Sequence, residues 1–214
     1  MTLLAIDTTG ANCSVALRIA GRPDVIVSEM IGRGHAERLA PMVAETLAGA
    51  GVAACELTRI GVTTGPGSFA GTRVATAFAR GLALATGAQA VGIGNLAVFA
   101  HQARAVRPLA VLHDAKRGEV ILQIWTQAGA NEPERLALAD VPGRIRALAG
   151  EGVHLAGPGT GVIGTAGFAV TGDDVLDLAA LLDLVAAAEP AAAPPSPFYA
   201  RPPDAKLPGG VEPV

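Results

Sequence analysis

Three short apolar runs open the chain, at residues 3–7, 13–19 and 24–31, separated by the turn-rich stretches TTGAN and AGRPD. That punctuation predicts three strands joined as hairpins. From His35 the period changes. Ala36, Leu39, Val43, Leu47 and Ala50 recur at three- and four-residue intervals, which predicts a helix with one apolar stripe, ended by Gly51. Pro41 either kinks this helix or marks its first turn. Leu57 to Thr63 reads as a buried strand, GPGSFAG as a tight glycine turn, and Gly71 to Thr86 as a second helix carrying Val74, Phe78 and Leu82. Gly71, Ala75 and Ala79 thin one of its faces.

Further along, residues 90–93 read as a strand and Leu96 to Ala103 as a short helix. Leu109 to Asp114 with Val120 to Thr126 reads as a second hairpin, so the opening pattern partly recurs. A helix near Pro142 to Leu148, a strand at Val153 to Ala156 and a helix from Val175 to Ala188 follow. EPAAAPPSP, from Glu189 to Pro197, reads as an extended tail or tether. Hairpin, helix, strand and helix, with a second hairpin near the middle, predict a mixed α/β architecture of two related halves. The expected division is a first lobe at 1–105, a smaller lobe at 106–189 and a Pro-rich tail at 190–214.

Composition narrows the class. The chain has 214 residues, half of them hydrophobic, enough to bury a core. Sixteen Lys plus Arg against nineteen Asp plus Glu give a net charge of −3, so the chain alone is a poor match for a phosphate backbone. Cys13 and Cys55 are the only cysteines and lack the spacing of a disulfide framework or zinc site, which predicts reduced thiols and a cytoplasmic protein. MTLLAIDTTG has no basic n-region and carries Asp7 inside its apolar stretch, so export is not expected. The uncharged stretch between Arg80 and Arg104 is broken by glycine, Gln and Asn, and reads as buried and not as membrane-spanning.

The sharpest candidate for chemistry is Gly65-Pro66-Gly67-Ser68-Phe69-Ala70-Gly71, between a strand and a helix. Its backbone N–H groups can cradle an anion there. The competing reading, that glycines only permit a sharp turn and close packing, carries more weight for an isolated glycine motif. No Gly-Lys-Ser/Thr closes the turn, and no Asp or Glu occurs between Glu56 and Asp114 to hold a ribose, which argues against a Walker loop and a dinucleotide site. Asp7-Thr8-Thr9 can orient Mg²⁺ and phosphate, or simply cap a hairpin. The histidines His35, His101, His113 and His154 have no zinc-helix spacing, and Ser68 lies outside a Gly-x-Ser-x-Gly elbow. Asp114 to Glu119 forms a charged hairpin turn.

LLAIDTT at 3–9, CSVAL at 13–17, GHAERLAP at 34–41, GPGSFAGTRVATAFARGLA at 65–83, DAKRGEV at 114–120 and PFYAR at 197–201 together resemble the TsaB family, formerly described as glycoprotease-like YeaZ proteins. Ala70, Lys116, Ile121 and Ala200 depart from the family's usual Thr, Arg, Tyr and Leu. The resemblance implies an actin-like ATPase (ribonuclease H-like) fold of two lobes, each a mixed sheet flanked by helices. It also implies a non-catalytic subunit for threonylcarbamoyladenosine on tRNA, partnered with the catalytic paralogue TsaD and the ATPase TsaE. TsaD proteins carry a metal-binding His-x-x-x-His in the helix after the strand matching Val91 to Ile93. Here that stretch reads GIGNLAVFAH, with His101 alone.

By the same resemblance the two N-terminal helices meet TsaD in a bundle. The expected interface set is His35, Leu39, Val43, Gly71, Val74, Ala75, Phe78 and Leu82. A homodimer through the same face is expected in isolation, with tRNA met only through the complex and no membrane. Asp7, Thr8, Thr9, Gly65, Gly67 and Ser68 form the degenerate nucleotide-like loops. No catalytic residue, metal or cofactor is implied. The rival readings are a nucleotide-binding regulator and a glycoprotease-like hydrolase or small-molecule kinase of the same fold.

Overall fold

The computed structural model describes residues 1–104, 106–164 and 167–199. Ala200 and Arg201 of the PFYAR motif, and the end of the tail, lie outside the described residues.

The first sheet begins with β1 (Thr2–Asp7), β2 (Asn12–Ile19) and β3 (Val25–Met30), an antiparallel meander. The chain crosses through α1 (His35–Ala50) to β4 (Arg59–Thr63), then through α2 (Phe69–Thr86) to β5 (Gln89–Ile93), and continues into α3 (Asn95–Gln102). β4 lies parallel to β1 and β5 parallel to β4, giving the order β3-β2-β1-β4-β5. β1 is buried on both faces, as a central strand of a covered sheet must be. Its alternate residues divide between two cores: Leu4 and Ile6 pack toward α1 and α2, while Leu3 and Ala5 face the other side.

The second sheet comprises β6 (Leu109–Lys116), β7 (Glu119–Thr126), β8 (Gly129–Ala130) and β9 (Glu134–Ala137). Then come α4 (Val141–Ala149), β10 (His154–Ala156), α5 (Thr160–Ile163) and β11 (Ala169–Val170). Its order is β11-β10-β6-β7-β8, with β9 also paired to β7. α6 (Leu178–Ala187) ends the regular structure. A five-stranded and a six-stranded mixed sheet, each opening with a hairpin and returning parallel to its first strand, are the arrangement the resemblance implies.

Two helices cross between the sheets. α3 follows β5, yet its Leu96, Phe99 and Ala100 pack with Leu109, Val111 and Ile121 of the second sheet. α6 follows the second sheet, yet its Leu178, Leu181, Leu182 and Val185 cover Leu3, Ala5, Ala16 and Val91 of the first. Arg59 on β4 clamps the end of α6, its Nη1 donating to the carbonyls of Val185, Ala186 and Ala188, each at 2.9 Å. The Pro-rich stretch differs from a free tether as far as residue 198. Gly92 N donates to Ala193 O at 2.8 Å, and Phe198 N to Thr64 O at 2.7 Å.

α1 buries Leu39, Met42, Val43, Thr46 and Leu47, and Gly51 closes it in the left-handed region at φ 67. Pro41 lies inside the helix on its exposed side. Among the described residues no helix is long and apolar enough to cross a membrane.

Candidate functional site

Asp7 ends β1 and is 6% exposed. Its Oδ1 accepts from the Thr9 amide at 3.1 Å, the Thr9 hydroxyl at 2.6 Å and the Thr63 hydroxyl at 2.6 Å. This is an Asx-type turn reinforced from the neighbouring strand. Asn95, the first residue of α3, bridges two loops: its Nδ2 donates to Thr9 Oγ1 at 2.6 Å, and its Oδ1 accepts from Gly65 N at 2.9 Å.

The glycine turn is engaged by the chain itself. Ser68 N donates to Thr9 O at 2.7 Å, Gly71 N to Ser68 Oγ at 3.2 Å, and Thr72 N to Ser68 O at 2.9 Å. Thr8 Oγ1 donates to Gly71 O at 2.7 Å. A β-carbon on Gly71 would come within 1.9 Å of Thr8 O, and one on Gly67 within 2.7 Å of Thr9 O. The glycines at 67 and 71 are therefore required by contact with the β1–β2 loop. Ser68 caps α2, so its hydroxyl is already placed as an acceptor. The amides of Gly65, Ser68 and Gly71, which an anion would have to recruit, already have partners within the chain.

A second Gly-Pro-Gly turn, without the cis peptide of Gly65-Pro66, was not singled out from the sequence. Gly157-Pro158-Gly159 follows β10 as Gly65-Pro66-Gly67 follows β4, and Gly159 N donates to Leu112 O at 2.8 Å, much as Ser68 N does to Thr9 O. The literal repeat GPG was the available signal. Between the two turns lies a cleft of about 270 Å³. Asp7, Thr9, Ser14 and Asn95 line it from the first sheet side, His113 and Pro158 from the second, with Pro66, Phe99, Asp174 and Leu176 around them. His113, Asn95 and Asp174 are cleft residues that sequence reasoning missed. Burial pushes the His113 imidazole below its ordinary value, so it stands neutral at neutral pH.

The expected interface set divides by burial. Leu39, Val43, Gly71 and Ala75 are covered by the chain's own core, whereas His35, Val74, Phe78 and Leu82 are half-buried. The outer surface of the two helices instead carries Ala40, Ala44, Ala48, Ala77, Gly81 and Leu84, the last 88% exposed. At the start of α2 the Arg73 guanidinium lies 3.8 Å from the Phe69 ring centroid and donates through Nε to Tyr199 at 3.0 Å. His101 meets Asp183 of α6 at 3.4 Å. Lys116 and Arg117 turn the β6–β7 hairpin in the left-handed region, and the Lys116 ammonium holds the Asp114 carboxyl below its usual range. No group of three or more His, Cys, Asp or Glu among the described residues could hold a metal ion.

Strand order β3-β2-β1-β4-β5, a second sheet of the same plan and a cleft between paired glycine turns define an α/β protein of the actin-like, ribonuclease H-like class. A family model described as "TsaD: tRNA N6-adenosine threonylcarbamoyltransferase" matches residues 21–145. The YeaZ structure from Pseudomonas aeruginosa superposes with a TM-score of 0.73 at 30% identity, covering 92% of this chain and 99% of that one. The tRNA threonylcarbamoyladenosine biosynthesis proteins TsaB of Haemophilus influenzae and Escherichia coli are 39% and 37% identical over 48% and 56% of this chain. The matched stretches cover 43% and 53% of those two relatives, so the chain spans about half the length of each. The chain belongs to the TsaB family, within the wider threonylcarbamoyltransferase-like group.

Proposed function

We propose that this chain is a non-catalytic subunit of the apparatus that makes N6-threonylcarbamoyladenosine on ANN-decoding tRNAs, acting in the cytoplasm as scaffold and activator of the catalytic paralogue TsaD, together with TsaE. The names of its relatives supply the pathway. The observation that carries the subunit role is the glycine turn: Asn95, Thr9 and Ser68 occupy the Gly65, Ser68 and Gly71 amides that would otherwise face phosphate. α3 adds support, since its one histidine, His101, is directed to Asp183.

The exposed alanines, Gly81 and Leu84 of the outer α1–α2 surface, set among Glu37, Glu45, Arg73 and Arg80, suit close helix packing against TsaD, and the same surface serves a homodimer when TsaD is absent. A net charge of −3 fits contact with tRNA through the complex. The test is reconstitution of threonylcarbamoyl transfer from purified TsaD, TsaE, threonylcarbamoyl-adenylate, ATP and tRNA, with and without this chain. Transfer that requires the chain, with no turnover by the chain alone, is expected. Unchanged transfer without it would overturn the assignment, and hydrolysis by the chain alone would favour the enzyme readings.

A further inference from the structure

The cleft between the sheets has a charge pattern opposite to that of a phosphate site. Among the described residues Asp7, His113 and Asp174 are its ionisable lining residues, and no Lys or Arg lines it. Asp7 is a buried carboxylate with work still open to it. Its Oδ1 accepts three hydrogen bonds, whereas no described residue donates to its Oδ2. Asp7 is also one of the residues that line the cleft. Asp7 therefore brings to the cleft wall a carboxylate whose Oδ2 takes no hydrogen bond from a described residue.

Such an oxygen, fixed by its neighbours and set in a partly desolvated wall, attracts a donor that carries positive charge and repels an anion. Neutral His113 does not offset it. Asp174, exposed at the rim, adds to the same field. Phe99, Pro66, Pro158 and Leu176 give the same cleft apolar surface. Among the described residues a polyphosphate finds neither cationic side chains in the lining nor free loop amides at Gly65, Ser68 and Gly71.

We propose that this cleft binds a small organic cation, a primary ammonium on a flat or aliphatic body, with the ammonium on Asp7 Oδ2 and the body against Phe99, Pro66 and Leu176. The inference rests on the cleft alone and stands or falls separately from the subunit role.

Benzylammonium is a suitable probe, with benzoate as its anionic counterpart and MgATP as the polyphosphate. Calorimetric titration of the full chain is expected to give benzylammonium a Kd on the order of 1 mM, within reach of a fragment of that size. Benzoate and MgATP should show no binding at the same concentrations. Asp7→Asn keeps an acceptor for Thr9 and Thr63 while turning Oδ2 into an amide donor, and should weaken benzylammonium about tenfold. Asp174→Asn, at the exposed rim, should weaken it by about twofold without disturbing the fold. If Asp7→Asn does not fold, the rim variant and the loss of affinity with added salt decide the matter. Absence of benzylammonium binding, equal binding of benzoate, tighter binding of MgATP, or indifference to both variants and to salt each overturns the proposal.

Discussion

Gly61 lies so close under Val185 that a β-carbon on it would come within 2.0 Å of Val185 Cγ2. This contact seats α6 on β4 and fixes how the last helix returns to the first sheet. Gly61→Ala is expected to cost about 1–3 kcal/mol by overpacking. Urea unfolding measures the loss, and adding Val185→Ala should restore part of it; additive losses would show that α6 does not rest on Gly61.

The same helix is held at its end by Arg59. Replacing Arg59 with Met keeps the aliphatic stem but strips three charge-assisted bonds from the carbonyls of Val185, Ala186 and Ala188. A loss of about 2 kcal/mol is expected. Hydrogen exchange should accelerate in α6 before it does in β1.

Asn95 joins the β1–β2 loop to the glycine turn. Asn95→Leu leaves the Gly65 amide and the Thr9 hydroxyl with one partner fewer in a buried setting, at an expected cost of about 2–3 kcal/mol. The thermal midpoint reads this directly. An unchanged midpoint would mean that water replaces the amide.

His113 gives the chain an acid-sensitive element. Its folded value lies below the ordinary 6.5 because burial disfavours the charged ring. The unfolded chain therefore binds the proton first as pH falls. Stability contributed by neutral His113 is fully present above about pH 6.5 and declines as pH drops from there toward the lowered folded value. His113→Gln should flatten the stability profile between neutral and mildly acidic pH, as followed by urea midpoints across that range.

The outer helix surface can be tested without touching the core. Ala77 is exposed on α2, so Ala77→Arg should leave the melting midpoint within about 0.5 kcal/mol of the parent. Binding to TsaD, followed by calorimetry, should weaken at least about tenfold where close helix packing is blocked. Unaltered affinity would move the interface elsewhere.

Much of this architecture could be read from local pattern. The stripe of α1 was visible because Leu39, Val43 and Leu47 recur at helical spacing against one core, whereas on α2 the pattern marked Val74, Phe78 and Leu82, which are only partly buried there, and the thin face of Ala75 and Ala79 is the fully buried one. β8, β9, α5 and β11 were not, being two to four residues long with little buried surface. The sequence predicted a helix from Val175 to Ala188 but not which sheet receives it, since that depends on contacts such as Gly61 with Val185, far apart in sequence. In the site, Asp7 and the glycine turn were legible as motifs. Asn95 was not, because its meaning lies in a bond to Thr9 across 86 positions. His113 was singled out only as unlike a zinc ligand, and the cleft gave it a place.

The return of α6 also sets an order of events during synthesis. Leu3, Ala5, Ala16 and Val91 leave the ribosome long before Leu181 and Val185, their cover. At about 5–20 residues per second, that side of the first sheet stays bare for several seconds while the second sheet is made. The nascent chain is thus a natural client for chaperones until its last helix arrives, and a chain cut short before Leu178 should be found with them or in aggregates.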